Sequence, residues 1–152
     1  MAFYQLKRTQ VIPSDISEVW NFISTPRNLS KITPDYMGFD ITSAELPEKM
    51  YEGMIISYKV SPFLGLKTDW VTEITHLREK KFFVDEQRIG PYNIWHHEHH
   101  IEPVEDGVKM KDVVTYQPPL GPLGVLANKL FIKNKLQEIF DYREQVVDQY
   151  FK

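Results

Sequence analysis

Four of the chain's five histidines sit in one run, Trp95-His96-His97-Glu98-His99-His100, so any imidazole chemistry is concentrated there. The run alternates with a period of two: Trp95, His97, His99 and Ile101 share one face, and His96, Glu98, His100 and Glu102 share the other. That period predicts a half-buried strand whose apolar ends carry His97 and His99 inward. The same parity recurs after Gly107, where Met110, Asp112, Val114 and Tyr116 alternate with Lys109, Lys111, Val113 and Thr115. The lysines belong in water, so Asp112 points inward. A symmetric loop from Pro103 to Gly107 sets His99 opposite Asp112 and His97 opposite Val114, which predicts a buried His–Asp pair.

Buried ionisable groups are costly unless paired, so His97, His99 and Asp112 need partners. Four arrangements meet that need. They are a satisfied polar network in a cavity wall, a polar anchor for a mostly apolar ligand, a general acid–base pair of His99 and Asp112, and a two-histidine, one-carboxylate metal site. The last two lack a third marker, so no catalytic residue is assigned beyond the candidates His99 and Asp112, and no metal or cofactor is expected. The outer residues His96, Glu98 and His100 read as a solvated face. The run is not a helical zinc-protease motif, because it has neither that motif's spacing nor its setting.

The elements that position these residues follow from the rest of the text. A β-rich segment from Phe3 to Ile12 ends at Pro13. Ser14 and Asp15 are N-cap candidates for a short helix whose Ile16, Val19, Trp20 and Ile23 form one apolar stripe. Thr25-Pro26 opens a second short helix that stops at Thr33-Pro34. Six strands then fit, at about 36–45, 53–61, 66–77, 81–88, 92–102 and 108–117, with turns short enough for an antiparallel meander. In the third and fourth strands Ile56, Tyr58 and Val60, and Trp70, Thr72 and Ile74, share the inner face. The fifth strand carries apolar and charged residues on both faces, so its parity is open. After the prolines, Leu123, Leu126, Leu130, Leu136, Ile139, Phe140, Val146, Val147 and Tyr150 trace a stripe on one uninterrupted helix, about 42 Å long from Leu123 to Tyr150. The order β-α-α-β6-α predicts an α+β layer fold, a seven-stranded curved antiparallel sheet around a long C-terminal helix with a cavity between them.

Composition narrows the function. A length of 152 residues fits one domain, 1–152. Apolar residues at 42% and charged residues at 26% exclude a disordered or rod-like chain. The absence of cysteine removes disulfides, thiolate metal sites and cysteine nucleophiles, and fits a cytoplasmic location. A formal charge of −3 provides no field for nucleic acid, so no nucleic-acid partner is expected. The N-terminus has no secretory pattern and no segment reaches the roughly 18 apolar residues of a membrane span, so no integral membrane contact is expected. Aromatics at 13% supply much rigid apolar area for a cavity lining. Two greasy loops, Pro62 to Leu66 and Pro119 to Gly124, could close a cavity mouth, touch a membrane transiently, meet a partner or simply pack on the domain's own body.

With these residues in hand the sequence resembles the START-related, birch-pollen-allergen-like helix-grip superfamily, also called SRPBCC or polyketide cyclase/dehydrase-like. The resemblance spans nearly the whole chain. It rests on Pro13-Ser14-Asp15 through Phe22, Pro26-Arg27-Asn28-Leu29, Trp70 to Ile74, Phe83 to Gln87, Gly90-Pro91-Tyr92, Trp95 to His99, and Tyr116 to Gly124, which together resemble a bacterial ligand-binding branch. It implies a helix-grip fold and a cavity for sterols, lipids, polyketides or similar hydrophobic molecules, and turns Phe83, Asp85 and Gln87 of the fifth strand inward. The expected ligand-binding set is then Tyr58, Trp70, Phe83, Asp85, Gln87, Trp95, His97, His99, Met110, Asp112, Val114 and Tyr116, closed by Leu126 and Leu130 of the last helix. Members of this superfamily carry lipids, sense hormones, cyclise polyketides or simply bind. The expected function is a soluble binder of a hydrophobic small molecule, with a cyclase, dehydratase or isomerase and a partner-binding module as alternatives.

Overall fold

A computed structural model describes residues 2–63 and 65–152. The first strand, β1 (Tyr4–Ile12), leads into α1 (Ile16–Ile23), where the Asp15 carboxylate accepts from the backbone N–H groups of Ser17 and Glu18 and so caps the first turn. A 3-10 turn at Pro26–Ser30 replaces the expected second helix. A second one, Asp35–Met37, takes up the start of the expected strand at 36–45, of which only β2 (Asp40–Ile41) remains. The physical reason is local. Gly38 turns left-handed at φ 57°, and beyond Ile41 the Ser43 hydroxyl accepts from Ser57 N–H at 2.9 Å, so a side chain takes the place of the ladder.

The other five strands run β3 (Ile55–Phe63), β4 (Leu66–Arg78), β5 (Phe82–Ile89), β6 (Ile94–Val104) and β7 (Gly107–Gln117). Their bounds fall within a few residues of the sequence reading. The sheet is antiparallel in the order β1-β7-β6-β5-β4-β3-β2, so the meander holds and β1 closes it on β7. Register shifts between Val71 and Thr72 and between Ile74 and His76 bend the long β4, which is how one sheet curves enough to wrap a helix. Gly107 is obligatory at the β6–β7 turn: its φ is 139°, and a Cβ there would lie 2.0 Å from the Ile12 carbonyl oxygen.

The last helical segment departs from expectation. In place of one continuous α-helix there are α2 (Pro122–Ala127), a π-helical turn (Asn128–Ile132) and α3 (Lys133–Tyr150). The wide turn inserts one residue into the helical count and resets which side chains face the sheet. Gly124, Asn128, Ile132, Leu136, Phe140 and Val147 are buried, whereas Leu126 and Leu130 are 52% and 63% exposed. Those two leucines therefore do not line the cavity between sheet and helix. Asn128, a polar residue in the buried line, accepts from the Tyr116 hydroxyl at 2.8 Å. The C-terminal half of α3 is tied to β1 by Arg8, which pairs with Asp141 and, at 2.9 Å, with Glu144, and by Gln10, which donates to the Glu144 carbonyl and to Asp148.

The core has two lobes. One groups Ile12, Trp20, Ile56, Ile74, Phe83, Met110 and Val147, and the other groups Val60, Trp70, Tyr92, Val114, Leu136 and Phe140. The interval between sheet and helix is where the two lobes meet.

Candidate functional site

A cavity of about 150 Å³ lies between the inner face of the sheet, the two 3-10 turns and α3. Its apolar walls include Ile56, Tyr58, Val60, Trp70, Ile74, Phe83, Trp95, Leu136 and Phe140. Trp70 stacks on Tyr58 with ring centroids 6.0 Å apart and meets Trp95 edge-on at 5.3 Å, so the aromatics support one another as well as the void. Lys135 also lines the cavity, and its ammonium lies 4.2 Å from the Tyr36 ring centroid.

One end of this apolar chamber is polar. β6 delivers His97 and His99, β5 delivers Asp85, β7 delivers Asp112, and α3 delivers Arg143, all largely buried. The register places His99 opposite Asp112 and His97 opposite Val114, as the alternation predicts. The hydrogen bonds are shared differently. His97 Nε2–H donates to Asp112 Oδ1 at 2.8 Å, diagonally across the strands, while His99 Nε2–H donates to Asp85 Oδ2 at 2.5 Å. His99 Nδ1 stands 3.3 Å from Asp112 Oδ1, and Arg143 Nη2 lies 3.3 Å from that same oxygen and 3.2 Å from His99 Nδ1. The His99 ring is sandwiched between Phe83, at 4.0 Å, and His97, at 3.7 Å between centroids.

The charges close on themselves. Two carboxylates face the Arg143 guanidinium and the two imidazoles. Burial alone would lower the His99 pKa, but its hydrogen bonds to Asp112 and Asp85 outweigh that and hold it above its ordinary value. Burial, aided by the charge on His99, pushes His97 down to about 4, so His97 is neutral at physiological pH. Burial opposes ionisation of both carboxyls, yet Arg143 and the histidines keep Asp112 well below, and Asp85 below, the ordinary carboxylate range. With Nε2–H committed to Asp112, neutral His97 keeps a lone pair on Nδ1, 3.7 Å from Asp85 Oδ2. Two acceptors therefore converge at the cavity wall.

Donor atoms of Asp85, His97 and His99 lie within 4.8 Å of one another, the donor set of a two-histidine, one-carboxylate metal site. Their surroundings suit a proton better than a cation. Coordination by His99 Nε2 would break its hydrogen bond to Asp85, and a divalent ion would stand beside the Arg143 guanidinium that already serves the carboxylates.

The expected lining divides into four groups. Tyr58, Trp70, Phe83, Asp85, Trp95, His97 and His99 line the cavity. Asp112 stands behind the histidines as their acceptor, beside Met110, and Val114 is fully buried beneath the wall without lining it. Gln87 is engaged elsewhere, its amide donating to the Tyr92 carbonyl and its oxygen accepting from Tyr92 N–H, and Tyr116 faces Asn128. Leu126 and Leu130 are on the outside. The outer histidines pair with acids, His96 with Glu86 at 2.9 Å and His100 with Glu98 at 2.8 Å. Of the greasy loops, Leu64 lies outside the described residues, Pro62 lines the cavity, and Leu66 and Leu120 are exposed.

Arg143 was not among the expected residues. Its signal was its position: three residues after Phe140 and four before Val147, it interrupts the apolar stripe of α3 on the buried side. Among the described residues, its Nε and the Trp70 Nε1 are buried donors with no hydrogen-bond acceptor, and both residues line the cavity.

No protein-family model matches the sequence, and no curated protein does. Solved structures do resemble the fold over nearly the full length. Protein CV1439 from Chromobacterium violaceum is 13% identical with a TM-score of 0.71, covering 97% of this chain and 96% of that one. Major latex-like protein 151 from Panax ginseng is 11% identical with a TM-score of 0.66, covering 98% and 97%. Ara h 8.0201 is 15% identical with a TM-score of 0.59, covering 96% and 98%. At such identities the likeness speaks for the backbone alone: this chain is a helix-grip fold.

Proposed function

We propose that the chain binds a compact, largely apolar molecule bearing a hydroxyl group, held between the sheet and α3. The observation that carries this reading is the asymmetry of the cavity, apolar and aromatic along its length with the Asp85 carboxylate and the His97 Nδ1 lone pair at one end. A hydroxyl donates to that end, and its oxygen offers an acceptor to a cavity wall that contains the unsatisfied Trp70 and Arg143 donors. A volume of about 150 Å³ is the scale at which an apolar cavity takes up a benzene-sized guest. A sterol or long acyl chain needs the walls to part.

Acid–base catalysis has less support. His97, with a conjugate acid near 4, offers little driving force for proton abstraction at neutral pH, and the ring nitrogens of His99 are engaged by Asp85, Asp112 and Arg143.

The shape-matched pair p-cresol and p-xylene tests the reading, because the two differ only in hydroxyl against methyl. Titration followed by the indole N–H resonances of Trp70 and Trp95 is expected to show p-cresol binding at least tenfold tighter, as a hydrogen bond to a charged group is worth about 1.5–3 kcal/mol. Equal affinities would refute polar recognition. Unmoved indole signals with both probes would refute the binding cavity.

A further inference from the structure

The π-helical turn that buries Asn128 leaves an apolar face on the outside of the molecule. Leu120, Leu123, Leu126 and Leu130 are 74%, 67%, 52% and 63% exposed. The last three recur at i, i+3 and i+7 and so share one side of α2 and the π turn, opposite the buried Gly124, Asn128 and Ile132. Leu120 is presented by a strained backbone, with φ at 69°, a conformation unfavourable for a residue with a Cβ. The loop is also held against the helix: a Cβ on Gly124 would lie 2.0 Å from the Pro119 carbonyl oxygen. Apolar side chains displayed by a constrained loop and helix mark a contact surface.

Charge indicates what the surface meets. From Val113 to Gln137 the sequence has Lys129, Lys133 and Lys135 and no acidic residue, in a chain whose formal charge is −3. Lys129 and Lys133 are exposed and follow Leu126 and Leu130 by three residues each, so they flank the leucines along the same helix. An amphipathic segment with leucines on its outer face and lysines at the edge is suited to an interface of apolar chains beneath anionic headgroups. The segment also continues into the cavity wall, since Ile132, Lys135 and Leu136 line it. None of the described helices is long and apolar enough to cross a membrane, so the contact is peripheral.

We propose that Leu120, Leu123, Leu126 and Leu130, edged by Lys129 and Lys133, dock this chain on an anionic lipid surface. The docked orientation brings the cavity-lining part of the helix next to the membrane, where apolar molecules partition. The docking stands on the exposed face alone and does not depend on what the cavity holds.

Co-sedimentation with vesicles of phosphatidylcholine, alone or partly replaced by phosphatidylglycerol, tests it. Binding is expected to the mixed vesicles, at least tenfold weaker to phosphatidylcholine alone, and weakened by added salt. Each lysine near the charged surface is worth about fivefold, so K129E/K133E should lose about 25-fold or more. L123S/L130S removes apolar area without adding charge and is expected to abolish sedimentation while leaving the thermal midpoint unchanged, because both side chains are exposed in the fold. Failure of the wild-type chain to sediment with either vesicle overturns the proposal, as does L123S/L130S binding as well as the wild type. A dimer in analytical ultracentrifugation that L123S/L130S converts to monomer, with no vesicle binding, assigns the face to a second copy of the chain and overturns it equally.

Discussion

Asp112 is the residue on which the polar cluster turns, because His97, His99 and Arg143 all approach its Oδ1. Replacing it by Asn, which has nearly the same shape, leaves the Arg143 charge short of one counter-charge in a buried site. Asp112→Asn is therefore expected to cost about 3–5 kcal/mol in urea unfolding, against less than 1 for an exposed pair such as Lys59 and Asp69. The histidines give the cluster a pH signature. His97 has its folded pKa lowered to about 4 from an ordinary 6.5, so the unfolded chain takes up its proton first, and the stability it contributes above pH 6.5 is lost as the pH falls towards 4. His99 has its folded pKa raised, so its contribution is complete below 6.5 and is lost as the pH rises through the raised value. The two carboxyls, both depressed, contribute above 3.8 and add a further loss below it. The thermal midpoint should peak close to pH 6.5, and His97→Gln should flatten the acid limb. A midpoint that climbs on acidification between 6.5 and 4 contradicts this assignment. Much of the cluster could be read from the alternation of β6 and β7, because strand parity is a strictly local property. The exchange of partners could not: which imidazole reaches Asp112 depends on the side-chain torsions that Phe83 and Arg143 impose from other elements.

Strands and helices differed in how much their text disclosed. Period-two alternation with short turns gave five of the meander's strands to within a few residues. It failed at 36–45, where a left-handed Gly38 and the Ser43 hydroxyl take over the hydrogen bonding of an edge. The last helix departs from its pattern for a different reason. A stripe through Leu123, Leu126 and Leu130 is as regular as one through Gly124, Asn128 and Ile132, and hydrophobicity selects the first. Packing selects the second, because the loop from Pro118 to Gly121 approaches so closely that only glycine fits beneath it. Gly124→Ala is therefore expected to be destabilising even though alanine is the better helix former by about 1 kcal/mol. The clash is with a backbone carbonyl, which cannot rotate aside, and it would push the loop away from α2. Hydrogen exchange should then rise at Leu123 and Val125, whose N–H groups bond to the carbonyls of Leu120 and Gly121. Unchanged protection there, with unchanged stability, would show that the loop is not held by this contact.

Seen as a whole, the molecule leaves a void between sheet and helix that its side chains do not fill, at the seam of the two core lobes. An unfilled apolar cavity forfeits dispersion contacts and costs stability, at about 24 cal/mol per Å³ in measured series of cavity mutants. A fold shaped for stability alone would fill it. The chain has the means, since Val60 and Ile74 line the space and large aromatic residues are favoured in β-strands. Val60→Phe is expected to occupy the void, to change the unfolding free energy by no more than about 1–3 kcal/mol in either direction, and to weaken p-cresol binding at least tenfold. The exposed Leu120, Leu123, Leu126 and Leu130 are untouched by this change, so vesicle co-sedimentation should stay at the wild-type level and the cavity and the outer face should separate as two functions of one fold. Retention of p-cresol affinity in a folded Val60→Phe variant would place the binding outside the chamber and remove the basis for assigning it a ligand.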